Sequence, residues 1–157
     1  MRAMLAAAIL VLAVMAQPAE AGWEGAEWGM TLEQTQAAIP ALRVVRRGMK
    51  LSDARKEGAR KAEFLGVEVD ASYFYADSRL VFVRLEAPFA RCLALVEALD
   101  GRYGAPTEVS DQVILKLTTW HDVTSGNRMV LMYSTAGICD LRLSPLAADS
   151  LEGAARS

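Results

Sequence analysis

The stretch YADSRLVFVRLEAP, residues 75–88, returns in altered form as YSTAGICDLRLSP, residues 133–145. At an offset of 58, Tyr75 meets Tyr133, Leu80 meets Ile138, Val83 meets Leu141, Arg84 meets Arg142 and Leu85 meets Leu143. Pro88 and Pro145 follow within one residue of register. Self-similarity at a fixed spacing marks a supersecondary unit used more than once. Each half also reads in the same order: a helix, then strands, then this hairpin. The expected fold class is therefore α+β. Two tandem helix-plus-antiparallel-strand repeats, about 28–87 and 88–145, would make one domain spanning 22–145. Their strands would join into one sheet, with the helices packed on one face.

Local signals place the elements. Thr31-Leu32-Glu33-Gln34 has the capping-box form, so a short helix is expected to start there. It should stop before Pro40, whose ring disfavours a helical residue ahead of it. Val67, Val69, Ala71, Tyr73 and Tyr75 alternate with Glu68, Asp70 and Ser72, the period of a strand. Asp77-Ser78 reads as a two-residue turn, and Leu80–Leu85 as a central strand. Phe89, Cys92, Leu93, Val96, Leu99 and Tyr103 fall at helical spacing, with Gly104 and Pro106 as the stop. Three strands should follow, at about 113–122, 127–134 and 138–144. Of the tryptophans near the start, Trp28 is expected in the core and Trp23 loose.

The ends point to export. Met1-Arg2 is followed by an unbroken apolar run from Ala3 to Met15. That run is shorter than the roughly 20 residues a bilayer span needs. It matches the apolar region of a secretory signal. Ala19-Glu20-Ala21 is an A-x-A site, so residues 1–21 are expected to be removed; a cut after Ala16 competes. A retained anchor is the rival reading. The expected location is periplasmic or secreted, with no transmembrane segment in the mature chain and a flexible tail over 146–157. Two cysteines, Cys92 and Cys139, suit an oxidising compartment. Both would lie on apolar faces that meet when the second helix packs on the sheet. A disulfide and two buried thiols are the alternatives; export and the shared facing favour the disulfide. It would close a loop of about 48 residues, worth roughly 4 kcal/mol in the chain-entropy model.

Charge is unevenly spread. The whole chain carries −2. Residues 43–61 hold Arg43, Arg46, Arg47, Lys50, Arg55, Lys56, Arg60 and Lys61 against Asp53 and Glu57. This +6 segment, read as part loop and part short helix, is either a solvated loop or the candidate face for an anionic envelope component or an acidic protein patch. The acidic balance elsewhere and the expected export argue against nucleic acid. Tyr73, Phe74 and Tyr75 lie on both faces of one strand, so one side is core and the other is a candidate aromatic strip. Catalytic signals are weak. His121 is the one histidine, and its neighbour Asp122 would point to the opposite strand face. No G-x-S-x-G, G-x-G-x-x-G, P-loop or calcium-loop pattern occurs. The reading names no catalytic residue, no metal and no cofactor. It is a non-enzymatic interaction domain, with a hydrolase or ligand carrier pocketed between the repeats as the alternative.

The stretches WGMTLEQ (28–34), ADSRLVFVRL (76–85) and LDGRYGAP (99–106) resemble small, uncharacterised exported bacterial proteins. The doubled helix-plus-strands layout is also similar to the β-lactamase-inhibitor protein fold and to small outer-membrane-assembly lipoproteins. That likeness implies a non-catalytic binder working through a sheet face or loops. Two departures stand out. There is no lipid-anchor cysteine near the cleavage region, and no motif that marks a lactamase-binding loop. No site residue is carried over from either group.

Titration of the unfolded, unreduced protein is expected to return no free thiol; two reactive thiols would exclude the Cys92–Cys139 bond.

Overall fold

The computed structural model describes residues 21–146. Apart from Ala21, the expected leader lies outside the described residues; so does the expected tail beyond Leu146. A small hairpin, β1 (Gly22–Trp23) and β2 (Ala26–Glu27), precedes α1 (Leu32–Ala38). Then come β3 (Arg43–Val44), β4 (Lys50–Leu51), β5 (Ala54–Phe64), β6 (Val67–Ala76) and β7 (Arg79–Glu86). A single 3-10 turn (Phe89–Arg91) leads into α2 (Cys92–Tyr103). The remaining strands are β8 (Glu108–Gln112), β9 (Leu115–Asp122), β10 (Asn127–Ser134) and β11 (Ile138–Pro145). Nine strands form one antiparallel sheet in the order β3-β5-β6-β7-β11-β10-β9-β8, with β4 also on β5.

The two long hairpins meet in the middle of that sheet. β7 and β11 pair antiparallel with Arg84 opposite Arg142, flanked by Leu85 opposite Leu141 and Val83 opposite Leu143. The alternation of each strand sends Val83, Leu85, Leu141 and Leu143 to one face, where all are buried. Cys92, Leu95 and Leu99 of α2 belong to the same apolar cluster, as do Ile39, Tyr73, Trp120 and Leu131. Cys92 and Cys139 are joined in a disulfide, which ties the start of α2 to β11. The C-terminal end of α2 is held as well: the Trp120 indole N–H donates to Asp100 Oδ1 and to the Gly104 carbonyl, both at 3.2 Å.

α1 forms as its cap demands. Thr31 Oγ1 accepts from the Gln34 N–H, and Gln34 Oε1 accepts from the Thr31 N–H. Thr35 is fully buried despite its hydroxyl, which donates to the Thr31 carbonyl at 2.8 Å. That local bond removes the desolvation cost of the hydroxyl.

Four expectations need correction. Residues 43–61 are strands and turns rather than loop and helix; β5 starts at Ala54. The reason is a bulge. The β5–β6 register shifts between Lys56 and Gly58, so one extra residue flips the side-chain alternation. Ala54 and Phe64 then lie in different apolar clusters, and no single period runs through the strand. The strand expected at 113–122 is present as β9, Leu115–Asp122, but an unexpected strand, β8, precedes it, and Val113-Ile114, two exposed apolar residues that read as strand, form the turn between them. The tryptophans are exchanged: Trp23 is the buried one, while Trp28 is half-buried with its indole N–H on Asn127 Oδ1 at 2.9 Å. Finally, Tyr73, Phe74 and Tyr75 are all buried, so no exposed aromatic strip exists there. Phe74 stacks on Phe82 with centroids 4.4 Å apart.

Burial also sets an alkaline limit. It pushes the Tyr75 phenol up to about 12, and the phenol oxygen has no hydrogen-bond partner among the described residues. An unfolded tyrosine titrates near 10. Between these values the unfolded chain sheds the proton first, so rising pH favours unfolding. The contribution is whole below about pH 10 and is lost as pH climbs toward 12. Tyr75→Phe is expected to flatten the fall in stability over pH 10–12, measured by urea unfolding at fixed pH values; an unchanged slope would place the alkaline limit elsewhere.

Candidate functional site: the second face of the sheet

The residues that point away from the apolar cluster form a second face. Ser72, Arg84, Arg142, Val130 and Thr119 follow one another across β6, β7, β11, β10 and β9 as register partners. Of these, Arg84, Arg142 and Val130, with Phe82, Leu117, Met132, Arg128 and Asp140, line an open groove of about 300 Å³. Leu51 of β4 closes one side, and neither helix contributes a residue to the lining. The groove crosses the β7–β11 seam.

Its polar groups are organised. Arg84 Nη2 donates to Glu86 Oε1 and Asp140 Oδ2, each at 2.9 Å. Arg84 Nη1 meets only the thioether sulfur of Met49, at 3.6 Å, and a thioether is a weak acceptor. The buried Nε of Arg84 has no hydrogen-bond partner among the described residues. Arg142 lies over the Phe82 ring, 3.9 Å from its centroid, a cation–π stack that fixes the guanidinium. Arg128 stands across from His121 on β9. Burial pushes the Asp140 carboxyl up, against the downward pull of the Arg84 guanidinium, while Glu86 adds a further upward push. Three arginines against one aspartate line the groove, so its lining is net positive.

The basic segment does not gather into one surface. Arg43, Arg46, Arg47, Lys50 and Arg55 are exposed, and Arg55 Nη1 donates to the Gly48 carbonyl. Lys56 is half-buried and pairs in register with Phe74. Lys61 reaches Asp70 at 2.7 Å on the surface, a pair worth little. Arg60 points the other way. Its Nε donates to the Tyr73 hydroxyl at 2.9 Å, its Nη2 is paired with Glu24, and its guanidinium covers the Trp23 ring at 4.9 Å. Asn127 completes this fastening by donating to the Gly22 carbonyl at 2.8 Å. Arg60 thus holds the β1–β2 hairpin to the sheet.

His121 and Asp122 separate as strand alternation requires, and Asp122 Oδ1 accepts from the Ser125 N–H in the following turn. Among the described residues, no group of three or more His, Cys, Asp or Glu side chains converges as a metal site would need. A second crevice, about 260 Å³, lies between α2 and β9–β10, lined by Leu93, Val96, Val109 and Trp120 among others. No helix among the described residues is long and apolar enough to cross a membrane.

Sequence reasoning missed Arg84, Arg128, Asp140 and Arg142 as a group. The signal was present: the triplets Val83-Arg84-Leu85 and Leu141-Arg142-Leu143 each put an arginine between two core residues of a central strand. Their match marked the repeat, and their shared face went unread.

No family model matches the sequence, and no curated protein matches it. Two solved structures show a partial likeness to this chain. One is a GTP binding regulator from Thermotoga maritima, 12% identical, covering 60% of this chain and 69% of its own, with a TM-score of 0.46. The other is a DUF4309 family protein from Bacillus subtilis subsp. subtilis str. 168, 15% identical, covering 73% and 78%, with a TM-score of 0.43.

The two roles of the basic segment separate by mutation. Arg60→Ala is expected to lower stability by about 1–3 kcal/mol, the range for hydrogen bonds to a charged group. Arg43→Ala, Arg46→Ala and Arg47→Ala should each stay within about 0.5 kcal/mol. Urea unfolding followed by tryptophan emission checks this, and equal losses at all four positions would remove Arg60 from its fastening role.

Proposed function

We propose that the protein is an exported, non-enzymatic interaction domain that binds a protein or an anionic envelope component. The observation that carries this reading is the second sheet face, with its three arginines over an apolar floor and no helix lining it. The Cys92–Cys139 disulfide agrees with life in an oxidising compartment. The exposed cations from Arg43 to Arg55 lie on the β3–β4 side of the sheet, where Met49 and Leu51 reach the groove. They extend the same positive field.

We further infer that the domain is a tandem repeat. At the 58-residue offset, α1 falls on α2, β5 on β9, β6 on β10 and β7 on β11. Antiparallel pairing of Arg84 with Arg142, equivalent positions at that offset, is what a two-fold relation between the halves requires. On this reading both helices cover one face and leave the other for binding. The second reading, a small-ligand carrier, is favoured by the position of the groove across the seam of the two halves.

The test is capture from envelope extract at low and high salt. One variant removes charge at Arg46, Arg47, Lys50, Lys56 and Lys61; a second carries Arg128→Ala and Arg142→Ala. Partners held by the wild type should be lost from at least one variant and released by about 1 M salt, where screening falls to roughly 3 Å. Identical captures by all three proteins would refute the proposed surface.

A further inference from the structure

The groove on the second face has more specific chemistry than a positive surface. Its lining alternates Phe82, Leu117, Val130 and Met132 with Arg84, Arg128 and Arg142. Its volume, about 300 Å³, stands at the lower end of small-molecule clefts, roughly 300–1,000 Å³. Within it, Arg84 is held by two carboxylates through Nη2 alone. Its Nη1 meets only a sulfur, and its Nε meets no acceptor among the described residues. Nη1 is the donor open to a ligand, and an oxyanion there would replace a weak sulfur acceptor with a charge-assisted hydrogen bond. Arg142, directly opposite Arg84 and stacked on Phe82, is placed to share that oxyanion. Glu86 and Asp140 both hold Nη2, which orients the donor, and Asp140 in the lining repels a second negative charge.

We propose that this groove binds a small single-headed anionic amphiphile. A carboxylate or phosphate head sits between Arg84 and Arg142, and a short apolar body lies on Val130, Met132 and Leu117. The proposal rests on the reading of the second face as a binding surface and gives its ligand carrier form a chemical class. The groove's volume favours a short body, its excess of arginine favours an anion, and the apolar floor distinguishes the ligand from free inorganic phosphate.

Calorimetric titration of the folded, oxidised protein with octanoate and octyl phosphate is the test. Octanol, propionate, inorganic phosphate, a tetraglutamate peptide and phosphatidylglycerol vesicles serve as the other arms. Octanoate or octyl phosphate should bind at least tenfold more tightly than octanol, propionate or phosphate. Arg142→Ala and Val130→Asp should each weaken that binding at least fivefold. Arg84→Lys, which keeps the charge and loses the separate Nη1 donor, should do the same while the circular dichroism spectrum stays native. Equal binding of octanol, equal binding of propionate, or no binding of either eight-carbon anion overturns the proposal. So does binding confined to vesicles, which would assign the face to a lipid surface, or to tetraglutamate, which would assign it to acidic protein segments. Envelope capture that persists when octanoate fails leaves the interaction-domain reading in place and removes this one alone.

Discussion

The pairing of β7 with β11 is the join on which the rest of the structure depends. On one side of it β5, β6 and β7 run as an antiparallel meander with β3 and β4 on β5, and on the other β8 to β11 form a second meander ending in β11. Only that ladder makes one sheet of them. Its apolar side is shielded, because Val83, Leu85, Leu141 and Leu143 are buried with α2. Its polar side concentrates charge, because the same register sets Arg84 against Arg142. Like charges directly opposite on a sheet are unfavourable. Here the strain is relieved by two different devices: carboxylates on Arg84 and an aromatic ring under Arg142. The seam is thus where the fold closes and where its most demanding electrostatics lie.

Much of the fold was legible because it follows from periods and caps. The α1 capping box, the Asp77-Ser78 turn, the stop at Gly104 and the strands β6, β7, β10 and β11 all carry local signals that tertiary packing reinforces. The facing argument for Cys92 and Cys139 held for the same reason, since a strand and a helix each expose one face to a neighbour. What stayed illegible was set by irregularity. The extra residue between Lys56 and Gly58 reverses the alternation of β5, so a strand looks aperiodic. Val113-Ile114 is apolar yet turns the chain. Trp23 is buried by Arg60, Phe64 and Tyr73, partners more than thirty-five residues away that no local pattern announces.

The candidate site was less legible than the fold. Net charge drew attention to residues 43–61, but charge density along a sequence says nothing about facing. Arg60 and Lys61 are neighbours in sequence and opposites in the structure: one fastens a hairpin, the other meets solvent. The arginines that do converge come from three strands, β7, β10 and β11, and two of them, Arg84 and Arg142, each stand alone between apolar neighbours. A lone charge inside a hydrophobic strand carries more information than a run of charges in a polar segment, because burying it needs a reason.

The position of β11 also has a kinetic side. It is the last of the described strands, yet it lies in the middle of the sheet, between β7 and β10. As the chain is made, β7 therefore waits as an open edge until roughly fifty further residues have followed it. An unpaired apolar edge is the usual template for wrong pairing between chains. Long-range closure of this kind is slow compared with hairpin formation. The fold is thus most exposed to aggregation in the interval before its final strand arrives, and a lesion in β11 would leave two separate half-sheets rather than a smaller version of the same protein.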